Sequence, residues 1–598
     1  MIPFYLECGR HWVAAIYEPA AARPAGTAVL LVPPFGWDDQ TSYRPRRDWS
    51  LALAARGFAN LRIDLPGTGD SSGTPLDEGL VASWASAVAA GVDWLRGAGA
   101  RQVAIIALGA GGLISLQAIA DGAEVDSLVA WGMPPNGRAL SREMKAFGRL
   151  EQAQTGEPAD KVPEDEMRAG GHRLAPATLA GLCSLDATQL VRARGPARAL
   201  LLGRDAIRPD SLLIEAFAST ASDVRIDPGH GWGAALERPQ STSPRAIFDL
   251  VNGWLEAGDC DGRRLSEPPI ARTVTLQDGG AGIRETPLVF EAQGRQLYAI
   301  LAEPADGPIA PATVVLFNAG AIRRIGPNRM WTEAARRWAA RGVPVLRVDL
   351  EGIGDASGDS TPYLQSDESF YTEALLDQAR ATVDQAAARG LPSRFILGGL
   401  CSGAFWAFQV AVTDPRVEAV VALNPRMLIF DPLTEGHRDM RRLRRIATPA
   451  GLRNVLMQKR KLGRARRLVE WLASRPLQLL CGRWSVDHLS TALRVMAKRG
   501  QALHFAFSGG EPLEDELLES LGREGLDALG VRLHRLPYKS HTLKPLEAQQ
   551  AAHALLDEVI ETGVSVARGA GGAARAGAQG WRERTGATES ARAVWGGT

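Results

Sequence analysis

A cysteine stands between two glycines where an apolar strand pattern gives way to a helical one. The segment from Ile396 to Phe405 reads ILGGLCSGAF and places Cys401 at the centre of Gly-x-Cys-x-Gly. Gly399 and Gly403 permit a turn so sharp that side chains in their place would clash. The motif therefore predicts an exposed thiol on a strand-to-helix turn, where the unpaired N–H groups of the helix favour the thiolate.

Ser402 is the neighbouring candidate nucleophile, and the same glycine rule decides against it. If Ser402 stood at the tip of the turn, Leu400 and Ala404 would occupy the positions that require glycine. The backbone N–H of Ser402 instead points into the space beside the thiol. We expect it to donate to a developing oxyanion there.

An acid is expected on a loop after a later strand, because the base that activates the nucleophile must itself be oriented. The strand pattern over 502–507 ends at Ser-Gly-Gly-Glu, which puts Glu511 at the acid position. Glu514 and Asp515 are close enough along the chain to compete for the same role. The acid is therefore one of these three carboxylates, with Glu511 at the expected place.

The base is expected after the last strand, on the loop that follows the acid in chain order. The strand pattern over 530–536 is followed by Pro-Tyr-Lys-Ser-His, which makes His541 the predicted base. His504 falls inside a strand pattern and is predicted to be a sheet residue instead.

Composition limits the class of protein. A chain of 598 residues is long enough for two or more domains, and a net charge of +1 argues against a protein that binds nucleic acid through its overall charge. Its five cysteines are dispersed without a Cys-x-x-Cys pair, which favours a reducing cytoplasm over a disulfide framework. We expect no signal peptide and no membrane span. Motifs for zinc and for dinucleotides are also missing, so no metal and no cofactor is predicted.

The landmarks of the chain occur twice. Asp64 opens DLPGTGDSSG and Asp349 opens DLEGIGDASG, with an offset of 285 residues. Gly109 and Cys401 follow similar apolar strands with an offset of 292 residues. Because the two offsets differ by so little, we predict two copies of one fold.

The first copy lacks a nucleophile. Gly109 stands at the tip of its turn, although Asp205 and His230 occupy positions suited to an acid and a base. A glycine cannot form a covalent intermediate, so this copy is predicted to be degenerate. The predicted organisation is a first domain over 1–255 with a cap at 133–190, a linker over 256–285, a second domain over 286–565 with a cap at 425–475, and a disordered tail over 566–598.

These motifs resemble those of the α/β-hydrolase superfamily, and both halves are similar to its serine-aminopeptidase-like branch, which includes hydrolases found beside exosortase systems. The resemblance covers 1–255 and 286–560 and rests on Asp-x-x-Gly-x-Gly-Asp-x-Ser-Gly, the sharp turn, and the acid and histidine positions. It implies two tandem α/β-hydrolase domains, each a doubly wound, mostly parallel sheet with a helical cap. The family's nucleophile is generally serine, and cysteine occurs in members that resemble dienelactone hydrolase. The resemblance also implies a second oxyanion donor after the third strand, at Ala319 or Gly320.

A thiol nucleophile favours one kind of chemistry. A thiolate paired with an imidazolium attacks reactive acyl groups, and the acyl-cysteine is a thioester that can pass its acyl group on. We therefore predict a hydrolase or acyltransferase that acts on esters or thioesters through Cys401, with a non-catalytic first domain. The alternative is a scaffold or acyl-ligand-binding protein built from two inactive domains. In a third interpretation, the first copy packs on the second as an intramolecular dimer partner.

A basic segment raises the question of a partner. Twelve basic residues and one acidic residue lie between 438 and 467. One interpretation is a pair of solvated helical faces. The other is a docking site for an acyl carrier protein or a coenzyme A thioester, with four arginines as its candidate residues: Arg441, Arg442, Arg444 and Arg445.

Overall fold

A computed structural model describes residues 1–156, 167–260, 262, 264–266, 268–429 and 488–570. Within the described residues, the first half contains ten strands: β1 (Ile2–Cys8), β2 (His11–Glu18), β3 (Thr27–Val32), β4 (Asn60–Ile63), β5 (Gln102–Leu108), β6 (Ser127–Trp131), β7 (Met167–Ala169), β8 (His172–Leu174), β9 (Arg198–Leu202) and β10 (Asp223–Asp227). Eight of them form one sheet in the order β1-β2-β4-β3-β5-β6-β9-β10, and β7 pairs with β8 separately. Neighbouring strands are parallel from β4 to β10 in this order, and β2 runs antiparallel to both of its neighbours, β1 and β4.

Helices connect these strands and cover both faces of the sheet. They are α1 (Trp37–Ala55), α2 (Leu80–Gly97), α3 (Ala110–Ala120), α4 (Gly137–Thr155), α5 (Pro176–Ser184), α6 (Ala187–Ala193), α7 (Ser211–Thr220), α8 (Trp232–Leu236) and α9 (Arg245–Ala257). The central strands are apolar throughout because both of their faces are buried; all six residues of β3 are buried, for example.

The second half repeats this arrangement around a nine-stranded sheet. Its strands are β11 (Val274–Asp278), β12 (Ala281–Ala292), β13 (Arg295–Pro304), β14 (Thr313–Leu316), β15 (Val345–Asp349), β16 (Phe395–Leu400), β17 (Val417–Leu423), β18 (Ala502–Phe507) and β19 (Val531–Arg535). They lie in the order β11-β12-β13-β15-β14-β16-β17-β18-β19, parallel from β15 onward. The helices are α10 (Met330–Ala340), α11 (Thr361–Gln365), α12 (Glu373–Ala388), α13 (Ser402–Thr413), α14 (488–498), α15 (Pro512–Ala528) and α16 (Leu546–Ala570).

The predicted fold class is confirmed: the chain contains two large, mostly parallel sheets with helices on both faces. The strand order of the second sheet from β13 onward matches that of the first from β2 onward. Within the described residues, no helix is both long enough and apolar enough to cross a membrane.

Three predicted boundaries differ from the structure or fall outside it. Strand β11 and the start of β12 lie within 256–285, so the second sheet begins before the predicted linker ends. Helix α16 continues to Ala570, which places the start of the predicted tail inside a helix. Helices α4 to α6 and the β7–β8 hairpin lie at or beside the predicted first cap. Most of the predicted second cap, including the four candidate arginines, lies outside the described residues.

Helix α1 begins in a polar segment of the chain. Its first half is polar, so it carries no helical periodicity of apolar residues. Several of these polar side chains are nevertheless buried: Tyr43 and Arg47 bond to Asp355, and Arg44 bonds to the carbonyl of Ala356 at 3.0 Å. Their partners lie in the other half of the chain, where a local sequence pattern gives no indication of them.

The two halves meet through a buried network of charges. Arg62 Nη2 lies 2.8 Å from Asp355 Oδ1, and Arg347 Nη1 lies 2.6 Å from Asp70 Oδ1. Each pair joins an arginine of one half to an aspartate of the other, and one offset of 285 residues relates the two pairs. Arg324 contacts both aspartates: its guanidinium lies 2.6 Å from the carboxylate of Asp70 and 2.8 Å from that of Asp355. All five side chains are buried, and two further buried carboxylates, Asp349 and Glu285, pair with Arg324 and Arg347, so the charges are compensated within the protein.

Candidate active site

Cys401 lies on a sharp turn between β16 and α13. Its backbone has φ 59° and ψ −113°, a conformation that is rare for any residue other than glycine. A Cβ atom at Gly399 would lie 2.1 Å from the backbone carbon of Gly403, and one at Gly403 would lie 2.2 Å from the carbonyl oxygen of Asn318. Glycine is therefore required at both positions, and the turn leaves the thiol partly exposed.

The loops after β18 and β19 bring an acid and a base together. Glu511 Oε1 accepts a hydrogen bond from His541 Nδ1 at 2.7 Å. The competing carboxylates point elsewhere, because Glu514 bonds to Arg535 at 2.8 Å and Asp515 is exposed on α15. Of the three candidate acids, Glu511 is the one that bonds to the imidazole.

The imidazole of His541 also interacts with the Cys401 thiol, since each group shifts the pKa of the other. Nε2 is buried and bonds to no oxygen or nitrogen within the described ranges. Burial alone would lower the pKa of His541, but its contacts with the Cys401 thiol and with Glu511 outweigh burial and raise that pKa to about 9. Burial alone would likewise raise the pKa of Cys401, but the contact with His541 and its positive charge hold that pKa below its ordinary value. The two groups therefore favour a thiolate–imidazolium pair.

Two further side chains act on the thiol, and no sequence motif marks either of them. The hydroxyl of Tyr371 lies 3.8 Å from Cys401 Sγ, and its ring packs edge-on against Phe405. The positive charge of Arg426, which pairs with Asp367 at 2.6 Å, also lowers the pKa of the thiol. Both residues lie in irregular segments, so periodicity and spacing gave no reason to select them.

Asn424 ties the acid and base loops to the sheet, and sequence reasoning missed it as well. It follows β17 with φ 43°, and its side-chain NH₂ donates to the carbonyl of His541 at 2.8 Å and to the hydroxyl of Ser508 at 2.9 Å. Its side-chain oxygen accepts from the N–H of Ser508 at 2.7 Å. One amide thus fixes the backbone at His541 relative to the loop that leads to Glu511.

The predicted oxyanion donors differ in their availability. Ser402 is the first residue of α13, where helical N–H groups have no partner within the helix. The N–H of Gly320, however, donates to the hydroxyl of Ser402 at 3.0 Å, so assigning Gly320 as an oxyanion donor is inconsistent with this structure. Ala319 remains as the second candidate.

The corresponding place in the first half is filled by a tryptophan. Gly109 has φ 50° and ψ −121°, close to the conformation of Cys401. The ring of Trp232 lies 3.5 Å from where a Cβ atom of Gly109 would stand. Asp205 accepts hydrogen bonds from the N–H groups of Gly231 and Gly233, which help to hold its pKa low, and His230 is exposed. The first half therefore has the same turn but no side chain at its tip, and its carboxylate, Asp205, bonds to backbone N–H groups.

The parallel sheet, the turn at the end of β16, and the chain order of Cys401, Glu511 and His541 are those of one known architecture. The fold is the α/β-hydrolase fold. No family model matches the sequence, and no curated protein matches it.

Solved structures similar to this chain include Est1E from Butyrivibrio proteoclasticus, determined with ferulic acid. It has 17% identity and a TM-score of 0.31, and the match covers 42% of this chain and 98% of Est1E. An acetyl xylan esterase from Paenibacillus sp. R4 has 14% identity and a TM-score of 0.30, covering 48% and 87%. A proline iminopeptidase from Mycobacterium smegmatis has 13% identity and a TM-score of 0.29, covering 47% and 100%.

Proposed function

We propose that this protein hydrolyses or transfers acyl groups from esters or thioesters through a covalent intermediate on Cys401. One observation carries the proposal: His541 Nδ1 is bonded to Glu511, while the imidazole and the Cys401 thiol shift each other's pKa. This arrangement supplies a nucleophile, a proton carrier and an orienting acid.

Acylation would proceed from the ion pair. The Cys401 thiolate attacks the carbonyl carbon of the substrate, and the π electrons move to the oxygen. Backbone N–H groups of Ser402 and Ala319 stabilise that oxyanion. When the tetrahedral intermediate collapses, the bond to the alkoxide or thiolate leaving group breaks, and His541 donates its proton to that group.

Deacylation would use the same histidine as a base. Neutral His541 removes a proton from water or from an acceptor hydroxyl or amine, whose oxygen or nitrogen then attacks the thioester carbonyl. The Cys401 thiolate leaves, and the imidazolium stays beside it. Glu511 keeps Nδ1 protonated in both steps, so Nε2 is always the nitrogen that exchanges the proton.

We propose that the first half is a non-catalytic copy of the second that arose by tandem duplication, and that the halves form an intramolecular dimer. The shared strand order and the two reciprocal ion pairs support this interpretation, because an isologous interface uses each contact twice. The Trp232 ring beside Gly109 supports a first half without catalysis.

The test is intact-protein mass spectrometry after mixing with acyl thioesters and aryl esters. Wild type should gain the mass of one acyl group, and Cys401→Ala should gain none. Cys183→Ala is a matched control, since Cys183 is also partly exposed and lies far from His541 along the chain; it should load like wild type. Decay of the adduct with or without an added amine or alcohol separates hydrolysis from transfer. If no donor loads Cys401, the protein is a binding or scaffold protein instead.

Glu511→Gln should lower kcat by about 10⁴-fold, the loss seen when the orienting acid of a triad is neutralised. The amide can no longer fix the tautomer of His541, although its size is unchanged. Glu514→Gln is the control, because Glu514 bonds to Arg535 and not to the histidine. Steady-state kinetics on an aryl ester measure both. Equal losses in the two variants would count against Glu511 as the acid.

We also propose that the basic segment between 438 and 467 docks an acidic carrier, either an acyl carrier protein or a coenzyme A thioester. Its twelve basic residues and single acidic residue support this proposal. Replacing Arg441, Arg442, Arg444 and Arg445 by glutamate should raise KM about tenfold or more for a carrier-bound acyl donor, because like charges would then meet. KM for a small uncharged ester should not change. An equal rise for both donors would contradict docking.

A further inference from the structure

The loop that follows His541 packs against residues of the first half of the chain. Lys544, three residues after the histidine, forms an ion pair with Glu151 of α4. Its ammonium nitrogen also lies 4.0 Å from the ring centroid of Trp37, at the start of α1. The side chains of Lys544 and Glu151 are only 22% and 12% exposed, so solvent screens this pair less than a surface pair. The four residues from His541 to Lys544 thus include both the proposed catalytic histidine and the lysine that binds the other half of the chain.

A second contact reaches the same loop from the tip of the β7–β8 hairpin. The carbonyl of Gly171 accepts a hydrogen bond from the side chain of Gln549 at 3.0 Å, and Gln549 also bonds to the carbonyl of Lys544 at 2.9 Å. The side chain of Asn328 bonds to the carbonyl of Leu543 at 3.0 Å.

Glycine is required at the hairpin tip for this approach. A Cβ atom at Gly171 would lie 2.2 Å from the side-chain oxygen of Asn328. The N–H of Gly170 donates to Glu151, which ties the hairpin to the residue that pairs with Lys544. Gly170 and Gly171 have φ 62° and 83°, values that suit glycine in a tight turn. The hairpin, α4 and α1 therefore form one surface against the residues just after His541.

We propose that the cap of the first half is a positioning element for His541, with Lys544 and Glu151 as its central pair. This inference rests on the proposed role of the Cys401–His541 pair. Asn424 holds the loop from the sheet side, and the cap holds it from the other half. The retained first half thereby has a task that needs no nucleophile of its own: it restrains the loop so that the imidazole stays beside the thiol.

The test breaks the pair from each side in the full-length protein. Lys544→Met removes a positive charge and Glu151→Gln removes a negative one, so through-space electrostatics would shift the pKa of Cys401 in opposite directions. Loss of positioning would instead raise it in both variants. Each variant should lose about tenfold to 100-fold in kcat, the scale of an ångström-sized displacement, with little change in KM. Lys544→Arg should retain most of the activity. Lys539→Met is the control, because Lys539 is exposed on the same loop.

Alkylation of Cys401 as a function of pH, measured peptide by peptide, keeps the possible outcomes distinct. If wild-type Cys401 shows an ordinary thiol pKa, the proposed catalytic pair fails. If wild type shows a lowered pKa and both variants match it with unchanged kcat, the positioning proposal is overturned and the catalytic pair stands. Opposite shifts in the two variants would also overturn it. If Lys544→Met does not fold, Glu151→Gln and Gln549→Leu address the same contacts between the loop and the first half.

Discussion

Cys401 should react with iodoacetamide about tenfold faster than a free thiol at about pH 6.5. An ordinary thiol is only about 1% ionised there, whereas the ion pair keeps Cys401 largely ionised; the roughly 100-fold gain in thiolate is partly offset because thiolates of low pKa are weaker nucleophiles. The direction of this pH dependence follows from the pKa shifts of Cys401 and His541. The pKa of Cys401 is lowered and that of His541 is raised to about 9, so the pair persists from the lowered thiol pKa up to about pH 9.

His541→Ala should remove this reactivity. Without the imidazolium, burial becomes the main influence on Cys401 and raises its pKa, so the rate near pH 6.5 should fall by about 100-fold or more. Cys8 is an internal reference, because burial raises its pKa without a compensating charge. Mass spectrometry of the alkylated peptides resolves the cysteines. If Cys401 and Cys183 follow the same pH profile in wild type, the ion pair does not form.

The parts of the site that the sequence predicted are those that depend on local geometry. The sequence predicts the turn at Cys401 because the turn needs glycine at two positions. Side chains there would collide with backbone atoms, Gly399 with Gly403 and Gly403 with Asn318 after the neighbouring strand β14. The choice of Glu511 over its neighbours needed the structure, since all three candidate acids lie within five residues of each other. What separates them is the hydrogen bond from His541 to Glu511 and the pairing of Glu514 with Arg535, both of which involve residues that come later in the chain.

The parts that the sequence did not predict depend on contacts between distant segments. Tyr371 and Asn424 reach the site from loops whose sequences contain no motif. Gly320 looked free as an oxyanion donor because only the fold brings the Ser402 hydroxyl to its N–H, across 82 residues. The polar half of α1 has no apolar periodicity to predict a helix, and its partners lie in the second half of the chain. Sequence periodicity detects buried apolar residues, whereas the buried residues in this part of α1 are polar and bond to partners in the second half.

Asp355→Ala should destabilise the protein by about 3–5 kcal/mol, the cost of leaving a buried charge without its partner. Asp355 pairs with Arg62 and Arg324 and accepts a hydrogen bond from Tyr43, and its side chain is fully buried. These partners outweigh burial and hold its pKa well below the ordinary range, so it is charged at neutral pH. Guanidinium denaturation followed by circular dichroism measures the loss, which is a large share of a typical folding free energy of about 5–15 kcal/mol.

The matched control is Asp384→Ala, the same substitution at an aspartate that pairs with Arg416 but is 64% exposed. It should change the free energy of unfolding by no more than about 1 kcal/mol, as for other surface pairs. Asp70→Ala should cost about as much as Asp355→Ala, because Asp70 makes the reciprocal contact with Arg347. A double variant, Arg62→Met with Asp355→Leu, should recover part of the loss, since it leaves one buried arginine fewer without a partner. If Asp355→Ala costs no more than Asp384→Ala, the two halves are held together by apolar packing, and the reciprocal charges contribute little.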